Sequence, residues 1–153
     1  MKNSKTVNIL LVEDDRIDAK AFLRAMQNLK IGNPVTLASD GVEGWEALQA
    51  MERPNMVILD INMPRMTGLE LLRKIRADKH LHDTIVFMLT TSNDDEDKFD
   101  AYDLNVAGYM LKSDMGNSFV KAVTLVENYW KVVEFPVYQK KAELSEVAAS
   151  RSV

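Results

Sequence analysis

The chain has no cysteine among its 153 residues. Disulfides and thiolate metal sites are therefore excluded, and a reducing compartment is compatible with that composition. Glycine and proline are scarce, at 6 and 4 residues, which excludes collagen-like and low-complexity chains. Positive charge is not in excess. The formal net charge of −4 argues against a general nucleic-acid binder, which needs a basic face to neutralise phosphates. Long apolar runs are missing too: nothing approaches the ~20 apolar residues that cross a bilayer. The run from Ile9 to Val12 stops at Glu13, too early for a signal-peptide core. No glycine-rich run of the kind that cradles nucleotide phosphates is present. The expectation is a cytoplasmic protein that partners neither a membrane nor a nucleic acid.

What is present is an ordinary globular composition, 46% hydrophobic and 27% charged, with a length of about one domain. Short apolar runs alternate with helical periodicity. Val7 to Val12 stops at Glu13-Asp14-Asp15, Met56 to Leu59 stops at Asp60, and Ile85 to Leu89 stops at Thr90-Thr91-Ser92. Val35-Thr36-Leu37 and Tyr109-Met110-Leu111 are weaker runs, the second stopped by Lys112. Strands apolar on both faces belong to parallel sheets covered on both sides by helices. Between them, Phe22, Ala25, Met26 and Leu29 share a helical face, as do Val42, Trp45, Leu48 and Met51; Leu69, Leu72 and Ile75 mark a third helix. Phe99 and Tyr102 mark a weaker fourth, and a last helix is expected from about Met115 to Glu134. Five strand–helix repeats predict an open, doubly wound α/β sheet of flavodoxin-like order 2-1-3-4-5, with five helices in a single domain.

In such a sheet the ligand crevice lies at the carboxyl ends of the strands, and the first and third strands are neighbours. Glu13, Asp14 and Asp60 would then converge. Crowded carboxylates raise one another's pKa, and a hard divalent cation relieves them; oxygen ligands beside a phosphate suit Mg²⁺. Lys112 and Thr90 fall on the same rim, a cation and a neutral donor suited to a phosphoryl group. A carboxylate in that setting is a competent nucleophile toward phosphorus.

On these residues the sequence resembles the receiver domains of bacterial two-component response regulators, over roughly residues 7–135. The matching pieces are LLVEDD, LDINMPRMTG, MLTTS and GYMLKS. The resemblance implies Glu13 and Asp14 as the acidic pair that holds Mg²⁺, Asp60 as phosphoacceptor and metal ligand, and the backbone carbonyl of Asn62 as a further ligand. It implies Thr90 as the switch hydroxyl, Tyr109 as the rotating aromatic and Lys112 as the lysine that pairs with the phosphate. Such a protein is a signalling phosphoacceptor rather than an enzyme with an external substrate, its aspartyl phosphate hydrolysing slowly. The ending ENYW followed by EFPV, the TTS run and Ser113 after Lys112 resemble stand-alone regulators that partner phytochrome-type histidine kinases. Many receivers carry proline where Ser113 stands, and a cis bond is costlier without proline. The organisation this implies is an N-terminal tail over residues 1–6, a receiver over 7–135, and an extension over 136–153, mobile or associated with a dimer, with no output domain and with a downstream protein as target.

Other readings stand beside these. Asp15 is expected to cap the first helix, although Asp14 and Asp15 could exchange roles. Thr91 competes with Thr90, and Ser92 is either a helix cap or a modulator of hydrolysis. His80 and His82 lack a third ligand and read as solvated. Asn93 to Asp97 reads as an acidic helix start rather than a calcium loop. On the last helix, Phe119, Val123, Val126, Trp130 and Val133 form one apolar stripe, and Ala122, Leu125, Tyr129 and Val132 form a second. One stripe can cover the sheet; the second suggests a homodimer through this helix, unless Phe135 and the tail fold back over it. A haloacid-dehalogenase-type phosphatase is the rival of another class, but it needs an aspartate where Asn62 stands. A chemotaxis-type single-domain regulator of a motor is the alternative within the same family.

Overall fold

The computed structural model describes residues 6–116 and 118–138. The N-terminal tail before residue 6 and most of the expected 136–153 extension lie outside the described residues. Five strands form one parallel sheet in the order 2-1-3-4-5. They are β1 (Asn8–Val12), β2 (Val35–Ala38), β3 (Asn55–Leu59), β4 (Ile85–Thr90) and β5 (Gly108–Leu111). Helices α1 (Arg16–Asn28), α2 (Gly41–Ala50), α3 (Gly68–Ala77), α4 (Asp95–Asp103) and α5 (Val120–Val132) alternate with them.

Side chains along a strand point alternately to the two faces, so each apolar run feeds two cores. Leu10, Val12, Val57, Leu59, Val86 and Met88 pack with Leu48, Leu71, Leu72 and Ile75 from α2 and α3. Ile9, Leu11, Met56, Ile58, Phe87 and Leu89 pack with Phe22 and Met26 of α1 and with Val123 and Val126 of α5. Four helices begin with a side-chain cap, which satisfies amide groups that have no partner inside the helix. Asp15 caps α1, Asp40 caps α2, Thr67 caps α3 and Asp94 caps α4.

Two expected helices differ in detail. The last helix does not run from Met115 to Glu134. Lys112–Asp114 form a 3₁₀ turn, Gly116 takes φ +66°, and the α-helix starts only at Val120; a residue in the left-handed region cannot continue a helix. Its second stripe divides. Ala122 is buried and Tyr129 meets Phe87 edge-on at 5.2 Å, whereas Leu125 and Val132 remain 50% and 75% exposed. Phe135 folds back onto the α1–α5 core. On α4, Phe99 and Tyr102 do not face the core: they are 73% and 54% exposed, and Ala101 alone of that helix is buried.

Register sets up the functional end. Val12 is paired with Leu59, and the residues that follow are Glu13 and Asp60; Thr90 is paired with Leu111, and Lys112 follows.

Candidate functional site

Asp60 leaves β3 with its amide bonded to the Val12 carbonyl (3.1 Å), while its side-chain Oδ1 accepts from the Ile61 amide at 2.7 Å. The loop beyond it turns back through Arg65 at φ +66° and closes when the Gly68 amide donates to the Ile61 carbonyl at 2.8 Å. A Cβ at Gly68 would lie 1.9 Å from the Asp60 carbonyl oxygen. Only glycine allows that approach. The loop is also tied to α2: Arg65 bonds Asp40 at 2.6 Å, and the Gly41 amide donates to the Met66 carbonyl at 3.2 Å. The Arg65 guanidinium, and then the Glu43 amide, hold the Asp40 carboxyl below the usual carboxylate range. Asn62 is exposed in this loop, two residues beyond Asp60.

The 3₁₀ turn after β5 delivers the Lys112 ammonium to three carboxylates. It donates to Glu13, to Asp18 at 2.8 Å and to Asp60 at 3.2 Å. Lys112, Glu13 and Asp60 side chains are all less than a tenth exposed. Burial acts to lower the lysine, but its bonds to Asp18 and Glu13 and the charges of Asp60 and Glu13 outweigh this and raise it. Glu13 goes the other way from an ordinary carboxyl. Burial first, and then the nearness of Asp60, push it up to about 8 against the pull of Lys112.

Carboxylate oxygens of Glu13, Asp14 and Asp60 lie within 4.8 Å of one another. Asp15 is not among them, being occupied with the Ile17 and Asp18 amides at 2.9 and 3.2 Å. Glu13 Oε2 is buried and has no hydrogen-bond partner, and an orphaned buried acceptor of this kind carries a desolvation penalty. A hard divalent cation would satisfy it and relieve the crowded charge, so the donor set fits such an ion. His80 and His82 are exposed and stand apart from this cluster.

Thr90 is fully buried at the end of β4, its Oγ1 accepting from the Ser92 amide at 3.3 Å, while Thr91 is exposed. Tyr109, half-buried on β5, donates its hydroxyl to the Ser92 carbonyl at 2.8 Å. Ser92 in turn donates to Asp97 at 2.6 Å, which links the segment to the first turn of α4. Beside Tyr109 lies an open groove of about 380 Å³, lined by Lys98, Tyr102, Met110, Leu111, Asp114 and Met115.

A carboxylate at the tip of β3, an acidic pair after β1, a hydroxyl after β4 and a lysine after β5 therefore meet at one sheet end. Residues 9–124 match the response regulator receiver domain. The chain belongs to that family. Response regulator Rcp1 of Synechocystis sp. is 31% identical over 128 residues, which span 80% of this chain and 87% of Rcp1. The Mn(2+)-bound form of Rcp1 has the same fold, with a TM-score of 0.76 at 30% identity, covering 86% of this chain and 99% of that one. The phosphorylated cyanobacterial phytochrome response regulator RcpA gives a TM-score of 0.76 at 30% identity, covering 86% and 98%. Receiver domains hold a divalent metal in this acidic pocket, which agrees with the fit of the donor set. Among the described residues, no helix of the receiver is long and apolar enough to cross a membrane.

Two parts of the site escaped the sequence reading. Asp18 looks like a first-turn acid that complements a helix dipole, and only the arrival of Lys112 makes it part of the pocket. Asp40 carries no motif signal of its own, and Arg65 lies within the LDINMPRMTG piece with no role read for it, though Gly41 and Gly68 mark where backbones pass closely.

Proposed function

We propose that this receiver domain accepts a phosphoryl group on Asp60 from a histidine kinase and alters the surface around Tyr109 and α4 as a result. The observation that carries this reading is the meeting of Asp60, Lys112 and the Glu13–Asp14 pair at adjacent strand ends. In the transfer, an Asp60 carboxylate oxygen attacks the phosphorus of a phosphohistidine. The O–P bond forms, the P–N bond breaks, and the imidazole leaves with the electron pair. Glu13, Asp14, Asp60 and the Asn62 carbonyl would hold Mg²⁺, which when bound offsets charge on the phosphoryl oxygens. Lys112 exchanges its bond to Asp60 (the longest it makes) for one to a phosphoryl oxygen. Thr90 turns its hydroxyl toward the same group and gives up the Ser92 amide. Tyr109 is tied to the Ser92 carbonyl, so it and the start of α4 respond to that release. Differential contacts in the two states bias the population.

The likeness to Rcp1 and RcpA, together with the ENYW and EFPV ending, supports a phytochrome-type kinase as the donor and a location in the cytoplasm. The proposed unit is 7–135, with 136–153 as an extension. Leu125, Val132 and Val137, all at least half exposed, support a homodimer through α5 and that ending. Asp60→Asn should abolish phosphotransfer from a cognate kinase; undiminished labelling would overturn the assignment. Leu125→Glu with Val132→Glu should convert a dimer to monomer in sedimentation velocity while leaving labelling intact.

A further inference from the structure

Lys112 has three N–H donors, and its three partners are all carboxylates: Glu13, Asp18 at 2.8 Å and Asp60 at 3.2 Å. Glu13 and Asp60 have roles in metal and phosphoryl chemistry. Asp18 has none. Its side chain is 29% exposed on the first turn of α1, and its own amide is already bonded to Asp15, so nothing in the fold requires its carboxylate to reach inward.

We propose that Asp18 is a positioning residue that restrains Lys112. It lengthens the lifetime of the phosphorylated state and keeps the unphosphorylated pocket available to a divalent cation. This rests on phosphorylation of Asp60 as proposed above.

Two consequences follow from the geometry. In the phosphorylated state, Lys112 must grip a phosphoryl oxygen, and Asp18 competes for the ammonium while cancelling part of its charge. During hydrolysis a water oxygen bonds to phosphorus and the O–P bond to Asp60 breaks. The electron pair returns to the carboxylate, and the water's proton leaves with inorganic phosphate or to solvent. In the transition state, charge is spread over the three peripheral phosphoryl oxygens. A firmer grip on those peripheral oxygens therefore stabilises the transition state and speeds hydrolysis. Removing Asp18 shortens the lifetime. In the unphosphorylated state the effect falls on the metal site. Without Asp18 the ammonium falls wholly on Glu13 and Asp60, which are ligands for the cation, and one negative charge is lost beside them. Metal binding weakens.

The test uses the full chain carrying Asp18→Asn, which keeps the shape and loses the charge, and Asp18→Glu, which keeps the charge. Phosphoramidate serves as phosphodonor at saturating Mg²⁺, and decay of the aspartyl phosphate is followed after its removal. Mn²⁺ affinity of the unphosphorylated protein is read by water-proton relaxation. Asp18→Asn should shorten the half-life and weaken Mn²⁺ binding, each by roughly three- to five-fold, and Asp18→Glu should restore both. Asp18→Ser removes the same charge and should repeat both signs if Asp18→Asn folds poorly. A residue that merely complements the helix dipole would lower thermal stability and leave both quantities in place. An unchanged or lengthened half-life, or undiminished Mn²⁺ affinity, overturns the proposal. If the wild-type chain takes no phosphoryl group on Asp60, the functional reading fails and the Mn²⁺ measurement alone decides the role of Asp18.

Discussion

At the amino ends of the strands, arginines are spread over carbonyl oxygens; at the carboxyl ends, carboxylates crowd around one lysine. Arg76, from the last turn of α3, donates to the carbonyls of Leu104 (2.6 Å), His82 and Thr84 (both 2.7 Å) and Asn105 (3.1 Å). One guanidinium thereby joins the loops that lead into β4 and β5. Arg53 donates to the His80 carbonyl at 2.8 Å and to Asp83 at 2.9 Å, and lies 3.7 Å from the Tyr138 ring centre. These bonds use the fork geometry of arginine to satisfy backbone groups that have no partner in the sheet. That end has a loose point of its own in Asn55, buried with both side-chain polar atoms unpartnered. At the other end, the unpartnered atom is Glu13 Oε2, in a pocket with an excess of negative charge. One end holds the fold together, and the other is left under electrostatic tension that a ligand can relieve.

Substitutions can break this contrast in either direction. Arg76→Ala removes a guanidinium from four carbonyls and should cost the most, about 3 kcal/mol in a urea titration, with Mn²⁺ affinity unchanged. Equal losses of stability and metal binding would show that the two ends are not independent. Lys112→Ala should cost less, about 2 kcal/mol, because carboxylates left without their cation can still take up protons or water. Divalent metal should recover much of that loss as a rise in Tm, since it supplies the missing positive charge. Asp60→Asn, which removes the proposed acceptor carboxylate, should do the reverse and stabilise by about 1 kcal/mol, as relief of like-charge crowding at a functional site generally does. A fall in its urea midpoint would refute the idea that the pocket is held under tension.

The smallest effect concerns the Asp40–Arg65 bond that anchors the loop after Asp60. The Asp40 carboxyl is held low in the folded state, mainly by Arg65. Its contribution is therefore fully present above the unfolded carboxylate pKa of about 3.9 and is lost as pH falls through the depressed folded value. Asp40→Asn should lower stability slightly near neutrality, where that contribution is fully present, and converge with the unsubstituted protein below about pH 4, which flattens the acid limb of the stability–pH curve. An unaltered acid limb would remove Asp40 from the account.

Much of this was legible from residue order alone. Apolar runs ending in acids, hydroxyls or lysine imply a parallel sheet with its chemistry at one end, because period-two burial on both faces leaves the strand tips as the place for polar groups. The acidic pair, Asp60, Thr90 and Lys112 follow from that. The start of α5 did not, since Gly116 in the left-handed region interrupts a helical pattern that otherwise reads as continuous. The exposure of Phe99 and Tyr102 was hidden because aromatic spacing does not say which side of a helix is covered. Asp18 and Arg76 were hidden for a common reason. A charged side chain on a helix looks solvated until its partners arrive, 94 residues later for Asp18 and from two separate loops for Arg76.

The contact between Gly68 and the Asp60 carbonyl also bears on how the protein can change over evolution. Since the glycine must land against the residue that begins the loop, the interval between them acts as a ruler of fixed length. An inserted or deleted residue anywhere from Ile61 to Thr67 would misplace the α3 cap and break the Arg65 tether together. Diversification among proteins built this way is therefore channelled into substitutions on this loop, and changes of length are left to other connections.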